Sequence, residues 1–338
     1  MLDNAALHET QNEPLLEIES LCKYYPVTQG LFKRVVGQVK AVDDVTLDVR
    51  RGETLGIVGE SGCGKTTLGK CLVRLYEPTG GRMFYSLDGR RRDLLSLKGQ
   101  ESFKTRRSIQ MVFQDPYGAL NPMKNILFAF DEALKVHGFG NRGQRRDIVA
   151  GMLEKVNLLP DHMYRYPHEF SGGQRQRICI ARSLSLQPEI IVCDEPVSAL
   201  DVSIQAQILT LMRELQKERN LTYIFIAHDL SVVQYMSDRI AVMYLGKVVE
   251  IAESGIFSEN CLHPYTQALL QAVPVPLLDA KKERTILPGE VPSPFDPPLG
   301  CHFHPRCPRC MEVCKTEAPI LKEAPGQDKH MVACHLVH

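Results

Sequence analysis

Four short runs of mostly apolar residues punctuate the chain up to residue 227: Glu53-Thr-Leu-Gly-Ile-Val-Gly59, Ile109-Gln-Met-Val-Phe113, Ile190-Ile-Val-Cys193 and Thr222-Tyr-Ile-Phe-Ile-Ala227. Runs of this length without strict polar alternation suit strands covered on both faces of a sheet. Between them, Ile204, Ile208, Leu211, Met212 and Leu215 recur at helical spacing, which predicts an amphipathic helix over Ile204 to Arg219. Thr66 to Leu75 reads as a helix opening behind a glycine-rich turn, and residues 117–187 read as mostly helical with polar joints. The expected fold is α/β, a parallel core interrupted by a helical insert. The pattern breaks near residue 264. Twelve of the 21 prolines lie from Pro264 onward, so regular helix or strand is mostly excluded there and the tail is expected to be an irregular appendage.

Composition narrows the function. A chain of 338 residues, 44% hydrophobic and 24% charged, can bury a core and form two packed domains. Lys+Arg and Asp+Glu both number 40, so no global positive field exists to collect nucleic acid. The first twenty residues lack a basic stretch followed by an apolar one, so they do not read as a secretory signal, and a cytoplasmic location is expected. No apolar run approaches the roughly 18 residues a membrane-spanning helix needs. Any membrane role is expected to come through partners.

Three strings carry recognisable chemistry. Gly59-Glu-Ser-Gly-Cys-Gly64-Lys65-Thr66 fits the phosphate-loop pattern in its strand-loop-helix context. Its glycines let backbone N–H groups turn around phosphate, Lys65 is placed to reach the β/γ-phosphates, and the Thr66 hydroxyl to ligate Mg²⁺. Ile190-Ile-Val-Cys-Asp194-Glu195 is an apolar strand ending in two carboxylates, Asp194 for the metal and Glu195 as general base toward water. Phe170-Ser171-Gly172-Gly173-Gln174-Arg175-Gln176-Arg177 offers a second phosphate-binding helix start, with Ser171 as N-cap. A single site needs only one, so two such elements suggest a head-to-tail pair in which each chain completes the other's site.

Together these strings resemble the nucleotide-binding subunit of ATP-binding cassette (ABC) transporters over residues 15–260. The resemblance implies a P-loop NTPase fold, a RecA-like core plus a helical subdomain, with an ATPase domain at 15–262, the helical subdomain at about 117–187, and a C-terminal extension at 263–338. It implies ATP contacts from Tyr25, with Tyr24 as the alternative aromatic, and from Gly59, Ser61, Gly62, Cys63, Gly64, Lys65, Thr66 and Thr67. It makes Ser171, Gly172, Gly173 and Gln174 the signature acting on the partner's site, Asp201 the D-loop residue, Gln114 the Q-loop glutamine and His228 the switch histidine. Mg²⁺ would be held by Thr66, Gln114 and Asp194. Phe170 stands where the commonest signature has Leu, an apolar exchange.

The stretch between Tyr25 and Ala41, together with His263-Pro-Tyr-Thr-Gln-Ala-Leu-Leu270, Leu287-Pro-Gly-Glu-Val-Pro-Ser-Pro294 and Pro298-Leu-Gly-Cys301-His-Phe-His-Pro-Arg-Cys307, is similar to the dipeptide/oligopeptide branch. That likeness implies a peripheral subunit on the cytoplasmic face of the inner membrane. It would be paired with a homologous but different ATPase subunit under two permease subunits, with an extracytoplasmic binding protein delivering peptide. The same engine importing nickel or another small solute, or a soluble ABC ATPase acting on nucleic acid or ribosomes, are the alternatives.

The eleven cysteines are unevenly placed, five of them (Cys301, Cys307, Cys310, Cys314 and Cys334) in the last 38 residues. In a reducing compartment that points to metal or redox chemistry rather than disulfides. Members of this branch with such a tail can carry a [4Fe-4S] cluster, which would fall to Cys301, Cys307, Cys314 and Cys334. Cys310 is surplus. It makes Cys307-Pro-Arg-Cys310, which with Cys314 and His302 or His304 also suits Zn²⁺. Free thiols are the third reading. Cys63 lies near a helix start that can lower a thiol pKa, but it reads as a small residue at a variable position.

Overall fold

The computed structural model describes residues 14–30, 32–87, 89–272 and 289–338. The first thirteen residues and the opening two of Leu287–Pro294 lie outside the described residues. In chain order the elements are β1 (Pro14–Gln29), β2 (Arg34–Arg50), β3 (Thr54–Val58), α1 (Lys65–Leu72), β4 (Gly80–Leu87), β5 (Arg90–Asp93), α2 (Gly99–Ser108), β6 (Ile109–Val112), α3 (Pro116–Ala119), α4 (Ile126–Val136), α5 (Arg142–Lys155), α6 (Gly172–Ser185), β7 (Ile190–Asp194), α7 (Val202–Arg219), β8 (Thr222–Ile226), α8 (Leu230–Met236), β9 (Arg239–Tyr244), β10 (Lys247–Glu253), α9 (Ser254–Glu259), α10 (Pro264–Ala272), α11 (Glu312–Thr316), β11 (Lys322–Glu323) and β12 (Met331–Val332). Short 3-10 turns interrupt the order at Pro160–Tyr164, Pro167–Glu169 and His304–Arg306. All four apolar runs are strands, and the helix expected over Ile204 to Arg219 is α7, burying Ile208, Leu211, Met212 and Leu215.

The described residues divide into two compact units, one within 14–49, 53–95, 225–272 and 289–338, the other of 50–52 and 96–224. In the first, β2-β1-β4-β5 form a sheet in which β1 and β4 run antiparallel from Leu16↔Tyr85 to Cys22↔Gly80. The stretch between Tyr25 and Ala41 includes the end of β1 and the start of β2. A second set of strands starts from β3, wholly buried and parallel to the equally buried β9, with Leu55↔Arg239 and Val58↔Val242 in register. β9 turns through Leu245 and Gly246, at φ 45° and 81°, into antiparallel β10. Positive φ at both positions matches the strand twist in a tight hairpin.

The tail is more regular than its prolines suggest. Pro264 opens α10, a position where its missing N–H goes unused. β12 pairs antiparallel with β10 and β11 with β12, so the last residues extend the β3-β9-β10 strands. Beneath them lies an aromatic cluster. Tyr244 packs 4.7 Å from Tyr265 and 5.2 Å from Phe303, and His263 lies 5.7 Å from Phe303. The described residues 289–303 remain irregular, as expected.

In the second unit β6 and β7 run parallel from Ile109↔Ile190 to Val112↔Cys193. The segment 117–187 is helical as read. Its helices bury Ile126, Phe130 and Leu134, then Val149 and Leu153, then Ile178, Ala181 and Leu184, the spacing of one apolar face each. Among the described residues no helix is long and apolar enough to cross a membrane.

Candidate active site

In the first unit β3 ends at Val58 and α1 begins at Lys65, so residues 59–64 form the loop between strand and helix. Gly64 holds φ 104°, and a Cβ there would lie 1.9 Å from the Ala41 carbonyl, so no other residue fits without moving backbone. Lys65 is buried with its ammonium folded into the loop, donating to the carbonyls of Gly59 at 2.7 Å and Glu60 at 3.0 Å. Ser61 and Gly62 are exposed, and Thr66 and Thr67 sit half-buried on the first turn of α1. The Cys63 thiol is buried, and burial pushes its pKa up against the opposing charge of Lys65. Tyr25 shares a side-chain hydrogen bond with Thr67 and stands edge-on to Tyr76 at 6.2 Å, while Tyr24 donates to Asp43 at 2.5 Å. Of the two aromatics, Tyr25 is therefore the one tied to α1. His228 is exposed just beyond β8, where the Ala227 N–H donates to the Ile57 carbonyl of β3 and Asp229 caps α8.

The second unit holds the carboxylates and the second helix start. Asp194 ends β7 at 2% exposure, and Glu195 follows at φ 45°, a left-handed conformation that costs a side-chain-bearing residue energy. Gln114, exposed just after β6, donates from Nε2 to Glu195 Oε2 at 2.9 Å. The turn after Glu195 is closed on its carbonyl, which accepts from the Ser198 hydroxyl at 3.1 Å. Asp201 stands exposed at the head of α7. Ser171 caps α6 as read. Its hydroxyl accepts from the Gln174 N–H at 3.3 Å and its own N–H donates to Gln174 Oε1 at 3.0 Å. Gly173 is required by close approach, since a Cβ there would meet Ile204 Cγ2 at 2.6 Å. Phe170 is buried edge-on to His162, so its ring serves packing.

The tail cysteines gather in one lobe. The Cys301 N–H donates to the Cys314 carbonyl at 2.8 Å, and Cys301 is pushed up to about 11 by burial and then by the neighbouring thiols Cys314, Cys334 and Cys307. Cys334 is raised by burial and further by Cys307 and Cys314. Even so, no group of three or more His, Cys, Asp or Glu among the described residues is arranged to hold a metal ion. Nδ1 of His304 is engaged with the Cys301 carbonyl and Nδ1 of His302 with that of Leu245.

Residues 42–198 match the family model described as ABC transporter, and residues 249–314 match the C-terminal region of oligopeptide/dipeptide transporters. Over 96% of its length the chain is 52% identical to the oligopeptide transport ATP-binding protein AppF of Bacillus subtilis (strain 168), covering 98% of that protein. The chain belongs to the ABC transporter family. Its cassette fold is shared with the ATP-binding cassette MJ0796, solved as a dimer in a post-hydrolysis state with ADP and Pi, at 27% identity and a TM-score of 0.60, over 71% of this chain and 98% of that one. The cbiO1 protein of Clostridium perfringens, part of the ABC transporter complex cbiONQ, is similar at 27% identity and a TM-score of 0.60, covering 73% and 92%. Within the ABC match lie the phosphate loop, Gln114, Ser171 to Gln174, Asp194 and Glu195, while His228 falls beyond it. Sequence reasoning passed over Glu60, Tyr265 and Arg306. Glu60 occupies a variable position of the loop motif, and the other two carry no motif of their own, so only their contacts reveal them.

Proposed function

We propose that this ABC ATPase binds and hydrolyses MgATP to power import of peptides, di- or oligopeptides, across the bacterial cytoplasmic membrane. One observation carries the transport reading, the end-to-end likeness to an oligopeptide transport ATP-binding protein that includes the peptide-transporter C-terminal region. Its neutral charge supports docking to protein partners rather than nucleic acid.

In this reading the N–H groups of Gly59 and of Ser61 to Thr67 and the Lys65 ammonium hold the phosphates, and Tyr25 stacks on adenine. Thr66, Asp194 and Gln114 offer a hydroxyl, a carboxylate and an amide oxygen, donor types suited to Mg²⁺, which would neutralise phosphate charge when bound. Glu195 accepts the proton of the attacking water, with Gln114 bonded to its carboxylate to set its orientation. His228 steadies the γ-phosphate end of the reaction. Ser171, Gly172, Gly173 and Gln174 act on the site of a paired, homologous ATPase subunit, with Asp201 at the junction, a pairing supported by the dimeric state of MJ0796. The boundaries proposed are 15–262 for the ATPase domain and 263–338 for the extension. Two permease subunits and an extracytoplasmic peptide-binding protein complete the importer, with this chain peripheral on the cytoplasmic face.

The test is Glu195→Gln in the assembled transporter. ATP binding should persist while hydrolysis falls by about 10²–10⁴-fold. Unchanged turnover removes Glu195 from its role, and ATPase activity indifferent to the permease removes the transport reading. For the tail, the proposal is a [4Fe-4S] cluster on Cys301, Cys307, Cys314 and Cys334, through which no step of hydrolysis passes. It rests on thiol spacing and on the mutual influence of the four groups. Anaerobically purified protein should be brown, bleached by dithionite and paler in Cys301→Ser. Colourless protein that releases stoichiometric zinc reverses the choice of metal, and colourless protein without metal removes both.

A further inference from the structure

The C-terminal lobe reaches into the phosphate loop. The Arg306 guanidinium, 7% exposed, grips the Glu60 carboxylate with both terminal nitrogens, at 2.8 Å to Oε2 and 3.1 Å to Oε1. The Glu60 N–H donates to the Tyr265 hydroxyl at 2.9 Å, so this peptide group points to the tail rather than into the loop. The other end of the loop is held indirectly. The Cys63 carbonyl accepts from the Gly246 N–H at 2.9 Å, and the adjoining Leu245 carbonyl is bonded by the tail's His302 at 3.1 Å. Phe303, between His302 and Arg306, locks this stretch into the cluster with Tyr244 and Tyr265.

We infer that Arg306 and Tyr265 are positioning residues for nucleotide binding, and that the tail is a clamp setting the phosphate loop's geometry and charge. The physical reason is twofold. A carboxylate within a phosphate-binding loop repels the ligand unless neutralised, and a bidentate guanidinium does this while fixing the side chain's direction. The peptide unit that carries the Glu60 N–H also carries the Gly59 carbonyl, to which Lys65 donates at 2.7 Å, so turning that peptide would move the ammonium meant for the phosphates. Arg306 itself touches no nucleotide in this scheme. It acts through Glu60.

The inference rests on reading residues 59–66 as the phosphate loop, and the experiment separates the two. AMP-PNP with Mg²⁺ is titrated calorimetrically into the full chain and its variants, with folding checked by circular dichroism. Arg306→Met should weaken binding about tenfold, the effect expected when a charge-assisted pair is broken, and Tyr265→Phe roughly threefold for the lost hydroxyl acceptor. In a Glu60→Gln background Arg306→Met should change affinity less than about twofold, because the group through which it acts is gone. Maximal turnover at saturating ATP should stay within about twofold in Tyr265→Phe, a split between affinity and rate that a general loss of structure would not produce. Equal losses from Arg306→Met with and without Glu60 overturn the clamp. So does unchanged affinity in Tyr265→Phe, which also decides the matter if Arg306→Met does not fold. Lys65→Ala that still binds AMP-PNP overturns the loop reading itself. Binding abolished by Lys65→Ala beside unaffected clamp variants overturns the clamp alone.

Discussion

Glu250 in β10 offers a quantitative test of how the tail is held. Its carboxylate has no exposure to solvent, and it accepts from the Leu262 N–H at 2.6 Å, the His263 N–H at 3.1 Å and His330 Nε2 at 2.7 Å. Both nitrogens of the His330 ring are engaged, since Nδ1 lies 2.7 Å from Gln327 Oε1. One buried carboxylate thus ties β10 to the start of α10 and to the last turn before β12. Replacing it with leucine preserves approximate volume but strands two backbone donors and an imidazole nitrogen. Each buried group left unsatisfied costs about 1–3 kcal/mol. Part of that gross loss is offset because a charge no longer has to be desolvated, leaving a net destabilisation of about 3 kcal/mol. Glu250→Gln retains one acceptor oxygen but turns an amide N–H₂ toward a donor, for about 1–2 kcal/mol. Urea unfolding followed by far-UV circular dichroism gives the two values, and hydrogen exchange at Leu262 and His263 shows where the loss lies. A Glu250→Leu change below about 1 kcal/mol, or exchange at those amides equal to the parent's, would refute the reasoning.

Other outcomes follow from the same geometry. Arg239, buried between Asp48 at 3.0 Å and Glu53 at 3.2 Å, should cost about 3 kcal/mol as Arg239→Met, because the nearly buried Glu53 loses this ion pair; a urea midpoint equal to the parent's would contradict this. Phe303→Ala should cost about 3–5 kcal/mol by opening a cavity against Tyr244 and Tyr265, read from the same unfolding curves. His263 is pushed down to about 4 by burial, offset in part by Glu250. Because the unfolded imidazole titrates near 6.5, unfolding takes up a proton between those values, so its contribution is full above about pH 6.5 and lost as pH falls through 4. His263→Gln should therefore flatten the slope of stability against pH in that window, and an unchanged slope would remove His263 as its cause.

The parts of the site legible in the sequence are those whose chemistry is local. The phosphate loop needs glycines at set positions, and Gly64 at φ 104° against the Ala41 carbonyl shows why the spacing cannot drift. The capping box of Ser171 and Gln174 lies within four residues, and β3, β7 and β8 are continuous apolar runs buried at every position. Such signals survive in one dimension because a turn, a cap or a strand is made by neighbours along the chain.

The tail was less legible, for a physical reason. Proline content excludes long regular elements but leaves open a helix that begins on Pro264 and strands two residues long that borrow their hydrogen bonds from β10. Partner choice among charged groups has no periodicity at all. Arg306 and Glu60 stand 246 positions apart, and His330 and Glu250 stand 80 apart; nothing in either neighbourhood names the other. The sequence by itself determined the family and the ATPase chemistry that goes with it. Only the tertiary structure decided that the appended lobe seats an arginine on the phosphate loop, because ion pairing depends on distance in space and burial, which chain order does not encode.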